Sequence, residues 1–166
     1  PEHYAKQGVN VPVAFTSFEK PDGTLLASNV PAQIDSGMAD TVWPRTVYVN
    51  QALWTKLRTP KAIRVGTLQA KQCDGTGNLE VWALTDTRLQ VTDQTGFWMT
   101  KYPAYYIVPL KQQPANSVCG GISTMNVPAA QFGASFLRSF GTVIIDPGAF
   151  PDGGAVWIKM PQSPTP

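Results

Sequence analysis

One short stretch places the tightest constraint on how this chain can fold. Residues 34–42 read Ile-Asp-Ser-Gly-Met-Ala-Asp-Thr-Val, behind an apolar lead-in that includes Val30. Val30 and Ile34 place Asp35 at the end of a buried strand rather than in a surface turn. A carboxylate there has its charge state tuned by burial and by neighbouring groups. Gly37 lets the backbone come close, so that its N–H can donate to the carboxylate, and Ser36 has a hydroxyl that can donate across an interface. Asp-Ser-Gly alone is ordinary turn chemistry. Its place behind an apolar strand end is what distinguishes it, and it occurs once in the chain.

The rest of the sequence favours strands. Only 14% of the 166 residues are charged, against 43% hydrophobic, and 15 Pro and 14 Gly supply frequent turns. This composition predicts one mainly β domain of short strands. Val11–Glu19 alternates apolar and polar residues, Lys20-Pro-Asp-Gly makes a turn, and Thr24–Ile34 reads as the return strand. Pro44 to Leu57 is the best helix candidate, because Val49, Ala52, Leu53 and Leu57 share one apolar face and Pro60 stops it. Residues 62–70 and 79–92 read as strands around Asp74-Gly-Thr-Gly. Phe97–Met99, Tyr105–Val108 and Val118–Thr124 are further strand candidates. Ala134–Ser139 reads as a short helix, and Thr142–Asp146 with Ala155–Met160 as a hairpin. No internal repeat or linker divides the chain.

Several function classes find no support. The net charge is +2 and no Lys/Arg cluster marks a nucleic-acid surface. No apolar run approaches the roughly 20 residues that span a bilayer. The chain opens at Pro1 without a signal-peptide pattern, which predicts a processed or excised piece. His3, the only histidine, falls in the N-terminal stretch and suits neither a triad nor a metal site. Ser135 lacks the Gly-x-Ser-x-Gly context of a serine nucleophile. Gly75-Thr-Gly77 has no following Lys and is a turn rather than a phosphate loop. Trp43, Trp54, Trp82, Trp98 and Trp157 read mostly as packing residues; Trp82 and Trp98 could line a cleft or a sugar-binding face. Cys73 and Cys119 lack metal or redox spacing, and their even number favours one disulfide over two buried thiols.

A second string gives the first its context. Residues 132–146 read Phe-Gly-Ala-Ser-Phe-Leu-Arg-Ser-Phe-Gly-Thr-Val-Ile-Ile-Asp. With Ile34-Asp-Ser-Gly before it at a similar separation, the pattern resembles the C-terminal lobe of pepsin-like aspartic peptidases. In that family an apolar-apolar-Gly strand leads into a Phe-Leu-Arg turn, a strand ending in Asp and a final strand. The resemblance covers residues 10–160, leaving 1–9 as a flexible N-terminal segment and 161–166 as a Pro-rich tail. It implies a mainly β fold, a single lobe built as a closed, ψ-loop β barrel with one or two short helices. It implies that Asp35 and Gly133 lie side by side on central strands, with Phe132 and Ser36 supporting the loop and Gly37 and Met38 lining the substrate cleft. Cys73 and Cys119 look like the lobe's disulfide framework, in keeping with a secreted or vacuolar/lysosomal, oxidising and acidic compartment.

The activity implied is hydrolysis of peptide or protein substrates. Asp35 would be one of two catalytic aspartates that hold a water between them; a complementary N-terminal lobe, from the same precursor or a separate chain, would supply the other. No metal or cofactor is needed, and neither nucleic acid nor membrane is a partner. The isolated chain is expected to be inactive.

The departures from the family are specific. Position 38 is Met where the family usually has Ser or Thr, so it cannot donate to the outer carboxylate oxygen, and Ala39 replaces a usual Ser. Retroviral-type aspartic peptidases also have an apolar residue at that place, and Asp40-Thr-Val resembles their string. Gln131 is polar where the family prefers an apolar residue, which puts the packing of its strand in question. There is no second Asp-Thr/Ser-Gly and no flap hairpin before Asp35. Asp146 matches a structural Asp of the family, while Asp40 and Asp86 read as solvated or capping. Two alternatives follow: an inactive pepsin-like binding or inhibitor protein, and a homodimeric peptidase of the retroviral type.

Overall fold

The computed structural model describes residues 12–38, 42–72, 75–92, 98–102, 105–117, 120–140, 142–146 and 155–159. Residues 1–9, the tail 161–166 and both Cys73 and Cys119 lie outside that set, so the expected disulfide is not part of the described structure.

The first hairpin forms as its residues dictate. Strand β1 (Val13–Glu19) pairs antiparallel with β2 (Leu25–Asp35). At the turn, Gly23 N–H donates to Lys20 O (3.0 Å) and Lys20 N–H to Thr24 O (2.8 Å). Pro21 sits where a fixed φ helps, and Gly23 takes φ +87°, a conformation that L side chains rarely adopt. Asp22 Oδ1 accepts from Thr24 N–H at 2.9 Å, and this bond, followed by the Thr24 hydroxyl, holds the Asp22 carboxyl below the usual carboxylate range. Further along, the register shifts between Thr16 and Phe18, where Asn29 adopts φ 52° and its N–H donates to Ser17 Oγ at 3.1 Å. Asn tolerates this left-handed region better than most residues.

The other strands are β3 (Thr46–Val49), β4 (Ala62–Gln72), β5 (Gly75–Leu84), β6 (Arg88–Thr92), β7 (Trp98–Tyr102), β8 (Tyr106–Pro109) and β9 (Ala130–Gly133). With β1 and β2 they form a nine-stranded mixed sheet, in the order β4-β5-β8-β3-β9-β2-β1-β6-β7. A separate ribbon pairs β10 (Thr142–Asp146) with β11 (Ala155–Lys159). The outermost strands β4 and β7 do not pair with each other among the described residues, so the expected closed barrel is not formed there. The central topology is a ψ-loop. β9 lies between β2 and β3, parallel to β2 and antiparallel to β3.

The expected helix over Pro44–Leu57 is corrected. Thr46–Val49 is a strand buried on both faces, and the helix α1 covers only Gln51–Leu57. Val47 and Val49 enter one apolar cluster with Phe18, Ile34, Leu53 and Phe132, while Tyr48 enters a second with Val81, Val108 and Ile122. A strand buried on both sides shows no alternation, so Val49 completed an apolar helical pattern to which it does not belong. The expected strand at 79–92 is interrupted at Thr85–Asp86, where the chain turns from β5 to β6; Asp86 Oδ1 there accepts from Thr59 Oγ1 at 3.1 Å. Gly121–Thr124 is a 3-10 helix rather than a strand. A short helix α2 (Ala134–Leu137) follows β9 directly, as expected. Trp82 packs on Trp54 at 5.4 Å with the Arg58 guanidinium over its ring at 5.4 Å. Of Trp98 only the strand is described.

Asn50 ties these parts together. It is fully buried and caps α1, its Oδ1 accepting from Leu53 N–H (3.0 Å) and Ala129 N–H (3.1 Å). Its Nδ2 donates to Met125 O (3.0 Å) and Val127 O (2.7 Å). One side chain thus starts the helix and fixes the segment that leads into β9. Asn50→Ala removes a cap worth about 1 kcal/mol and strands buried backbone groups at about 1–3 kcal/mol. We expect a loss of roughly 3 kcal/mol in urea unfolding. Gly23→Ala, where a Cβ would meet nothing within 4 Å, isolates backbone strain and should cost only about 1 kcal/mol.

Candidate functional site

The ψ-loop brings the two singled-out strings together. β2 and β9 run in parallel register, Ile34 beside Phe132 and Asp35 beside Gly133. β2 ends at Asp35 in a turn, with Met38 N–H donating to Asp35 O at 3.3 Å and Gly37 N–H to Asp35 Oδ1 at 3.0 Å. The second of these is the contact expected of Gly37. Asp35 is partly buried, whereas Ser36 and Gly37 are exposed.

The turn is strapped to the end of β9. Ala134 N–H donates to Met38 O at 2.8 Å. A Cβ at Gly133 would lie 2.5 Å from that same carbonyl oxygen and 3.3 Å from the Tyr48 ring. Glycine is required here by close approach of two backbones. Phe132 is fully buried beneath the loop and stacks on Phe136, with centroids 4.2 Å apart and planes inclined by 19°. Phe140 then packs edge-on against Phe136 at 5.6 Å. This aromatic column supports the loop from the core side.

Gln131 holds the largest difference from the sequence reading. Its strand is fully buried and well packed, and the side chain turns toward the carboxylate. Gln131 Nε2 donates to Asp35 Oδ2 at 2.9 Å and lies 3.1 Å from Met38 Sδ. Sequence reasoning treated it only as a packing defect. The available signal was one polar residue within the apolar run Ala129–Phe132, which needs a partner when buried. Among the described residues the Asp35 carboxylate therefore receives one donor on each oxygen, from its own turn and from the adjacent strand.

Beside the turn, Ser36 edges a shallow groove of about 300 Å³ that Ala134, Leu137, Arg138, Phe140, Thr142 and Val143 complete. Ser135 is buried, its hydroxyl without a protein partner. Asp146 sits exposed at the end of β10 in the separate ribbon, paired in register with Ala155. His3 and Asp40 lie outside the described residues. Among the described residues no three His, Cys, Asp or Glu side chains come together, and no helix is long and apolar enough to cross a membrane.

Compared with known proteins, the chain matches neither a protein-family model nor a curated sequence.

Gly133→Ala tests the close approach. The added methyl meets a backbone oxygen that cannot rotate away, so we expect a loss of about 2 kcal/mol in chemical denaturation. Gly37→Ala, whose Cβ would stand 3.3 Å from the movable Asp35 carboxylate, should cost distinctly less.

Proposed function

We propose that this chain is one lobe of an aspartic endopeptidase of the pepsin-like kind, with Asp35 as one of two aspartates that activate water. The observation that carries the reading is the pairing of Asp35 with Gly133 across parallel strands of a ψ-loop, with Gly37 N–H on the carboxylate. Both sequence strings that resemble the family meet at this one place. Ser36, exposed at the turn, is positioned to hydrogen-bond across to a facing Asp loop.

The chemistry follows from two carboxylates held close together. They share one proton, since like charges at such a distance cannot both ionise, and they titrate as a unit. The ionised member takes a proton from water as that water attacks the scissile carbonyl carbon. The protonated member donates to the carbonyl oxygen as negative charge develops there. Proton transfer to the amine then allows the C–N bond to break. A complementary lobe supplies the second aspartate, and the substrate is a peptide or protein segment lying between the lobes.

Hydrolysis of a peptide library at acid pH tests the reading. The chain alone is expected to show none, and pairing with the complementary lobe should produce it. Asp35→Asn should lower kcat in that assembly by a factor of 10² or more, roughly the contribution of a positioned acid–base group. Undiminished turnover in Asp35→Asn would sink the proposal.

A further inference from the structure

We infer that Gln131 is a positioning residue for the Asp35 carboxylate, supplying from the neighbouring strand the side-chain donor that Met38 lacks. The functional half of this inference rests on the peptidase reading; the hydrogen bond itself does not.

A carboxylate rotates in a broad, two-fold torsional well unless both oxygens are held. Gly37 N–H holds Oδ1, and it belongs to the same turn as Asp35. If the turn moved, donor and acceptor would move together. Gln131 holds Oδ2 from β9, which is fixed between β2 and β3 by register on both sides, opposite Gln33 and Tyr48. Among the described residues, this second donor is the one that ties the carboxylate plane to the adjacent strand. Sites built on strands are held more closely than sites built on loops.

The chemistry of the amide settles its orientation. With Oε1 toward an ionised Asp35, two acceptors would face each other with no proton between them, so Nε2 faces the carboxylate. The –NH₂ group offers two hydrogens. One goes to Asp35 Oδ2, and the other has the Met38 sulfur at 3.1 Å as a soft, weak acceptor. Met38 and Gln131 are therefore a matched pair. Methionine at 38 vacates the donor role and caps the amide that takes it over. A hydroxyl can donate or accept, whereas Nε2 toward a carboxylate can only donate. Gln131 is 8% exposed, so bulk water competes little for its amide, although the carboxylate it holds is only partly buried.

The test is ¹H–¹⁵N NMR of the uniformly labelled full chain. One Gln131 side-chain proton should resonate downfield of free-amide positions and exchange slowly. Both features should disappear in Asp35→Ala while the backbone spectrum away from the turn persists. If Asp35→Ala does not fold, Asp35→Asn keeps the shape and removes the charge, and the resonance should move toward the free-amide position. Free-amide behaviour in the wild type, or no response to either substitution, overturns the inference. In the assembled peptidase, Gln131→Leu should lower kcat by roughly ten- to a hundredfold with KM within about twofold. Adding Met38→Ser to Gln131→Leu should recover part of that loss, which a merely structural role for Gln131 does not explain. An unchanged kcat in Gln131→Leu removes the positioning role. Absence of wild-type hydrolysis in any assembly instead counts against the peptidase reading, and leaves the NMR result to decide the hydrogen bond.

Discussion

Strand β9 is four residues long, yet the two halves of the central sheet meet through it. On one side it pairs with β2, which brings in β1, β6 and β7; on the other it pairs with β3, which brings in β8, β5 and β4. Its insertion is possible because Gly133 has no side chain where the Asp35–Met38 turn crosses it. With a Cβ 2.5 Å from Met38 O, either the turn would lift or β9 would slide. Lifting the turn would break the Ala134 N–H to Met38 O bond. Sliding would break both ladders at once. The carboxylate is therefore displayed at a place where deformation would break pairing on both sides of β9.

Insertion of a central strand late in the sequence has an entropic cost, because β2 and β3 must leave room for a partner more than eighty residues away in the chain. Asn50 offsets part of it. Four hydrogen bonds to a wholly buried side chain join the start of α1 to the segment 125–129, and the Asn50 backbone N–H donates to Ala129 O at 3.1 Å. The segment is thereby delivered in register to β3. The aromatic column of Phe132, Phe136 and Phe140 then anchors the residues just after the strand. Backbone closeness at Gly133, a polar node before it and apolar stacking after it are three different interactions acting on one short element.

Much of this was legible in the residues, and the failures have physical causes. The Lys20–Thr24 turn, the end of β2 at Asp35, the short helix after Gly133 and the β10–β11 hairpin are all local signals, and each formed where its residues indicated. The strand at Thr46–Val49 was hidden because burial on both faces removes the period-2 signature, and its last valine mimicked a helix face. Cap chemistry at Asn50 was the available warning, since Asn there accepts from Leu53 N–H and starts the helix later. The turn at Thr85–Asp86 carries neither Gly nor Pro, which leaves Asp86 as its turn-forming residue and a weaker signal. At the site, the Gly37 N–H contact with Asp35 follows from residue type, whereas the pairing of Asp35 with Gly133 was implied only by the family resemblance. The use of Gln131 was not legible, because a donor supplied from another strand has no sequence spacing of its own. It depends on register, which is a property of the fold.

The exposure of the turn bears on how such a site can work. Ser36 and Gly37 face solvent while the carboxylate between them and the sheet is partly buried. A carboxylate open to bulk water is hydrated, and its hydrogen bonds are screened; acid–base chemistry on an amide needs a held water and a drier surround. Gly37 N–H and Gln131 Nε2 orient the carboxylate, which among the described residues stays only partly buried. In the proposed peptidase, shielding would come from the lobe that packs over Ser36 and Gly37, and the same surface would bring the second carboxylate. Under that proposal orientation and shielding are divided between two bodies. The described residues supply what a sheet can, a donor on each oxygen of one carboxylate; in the proposed peptidase, exclusion of water and pairing of charge would belong to the assembly.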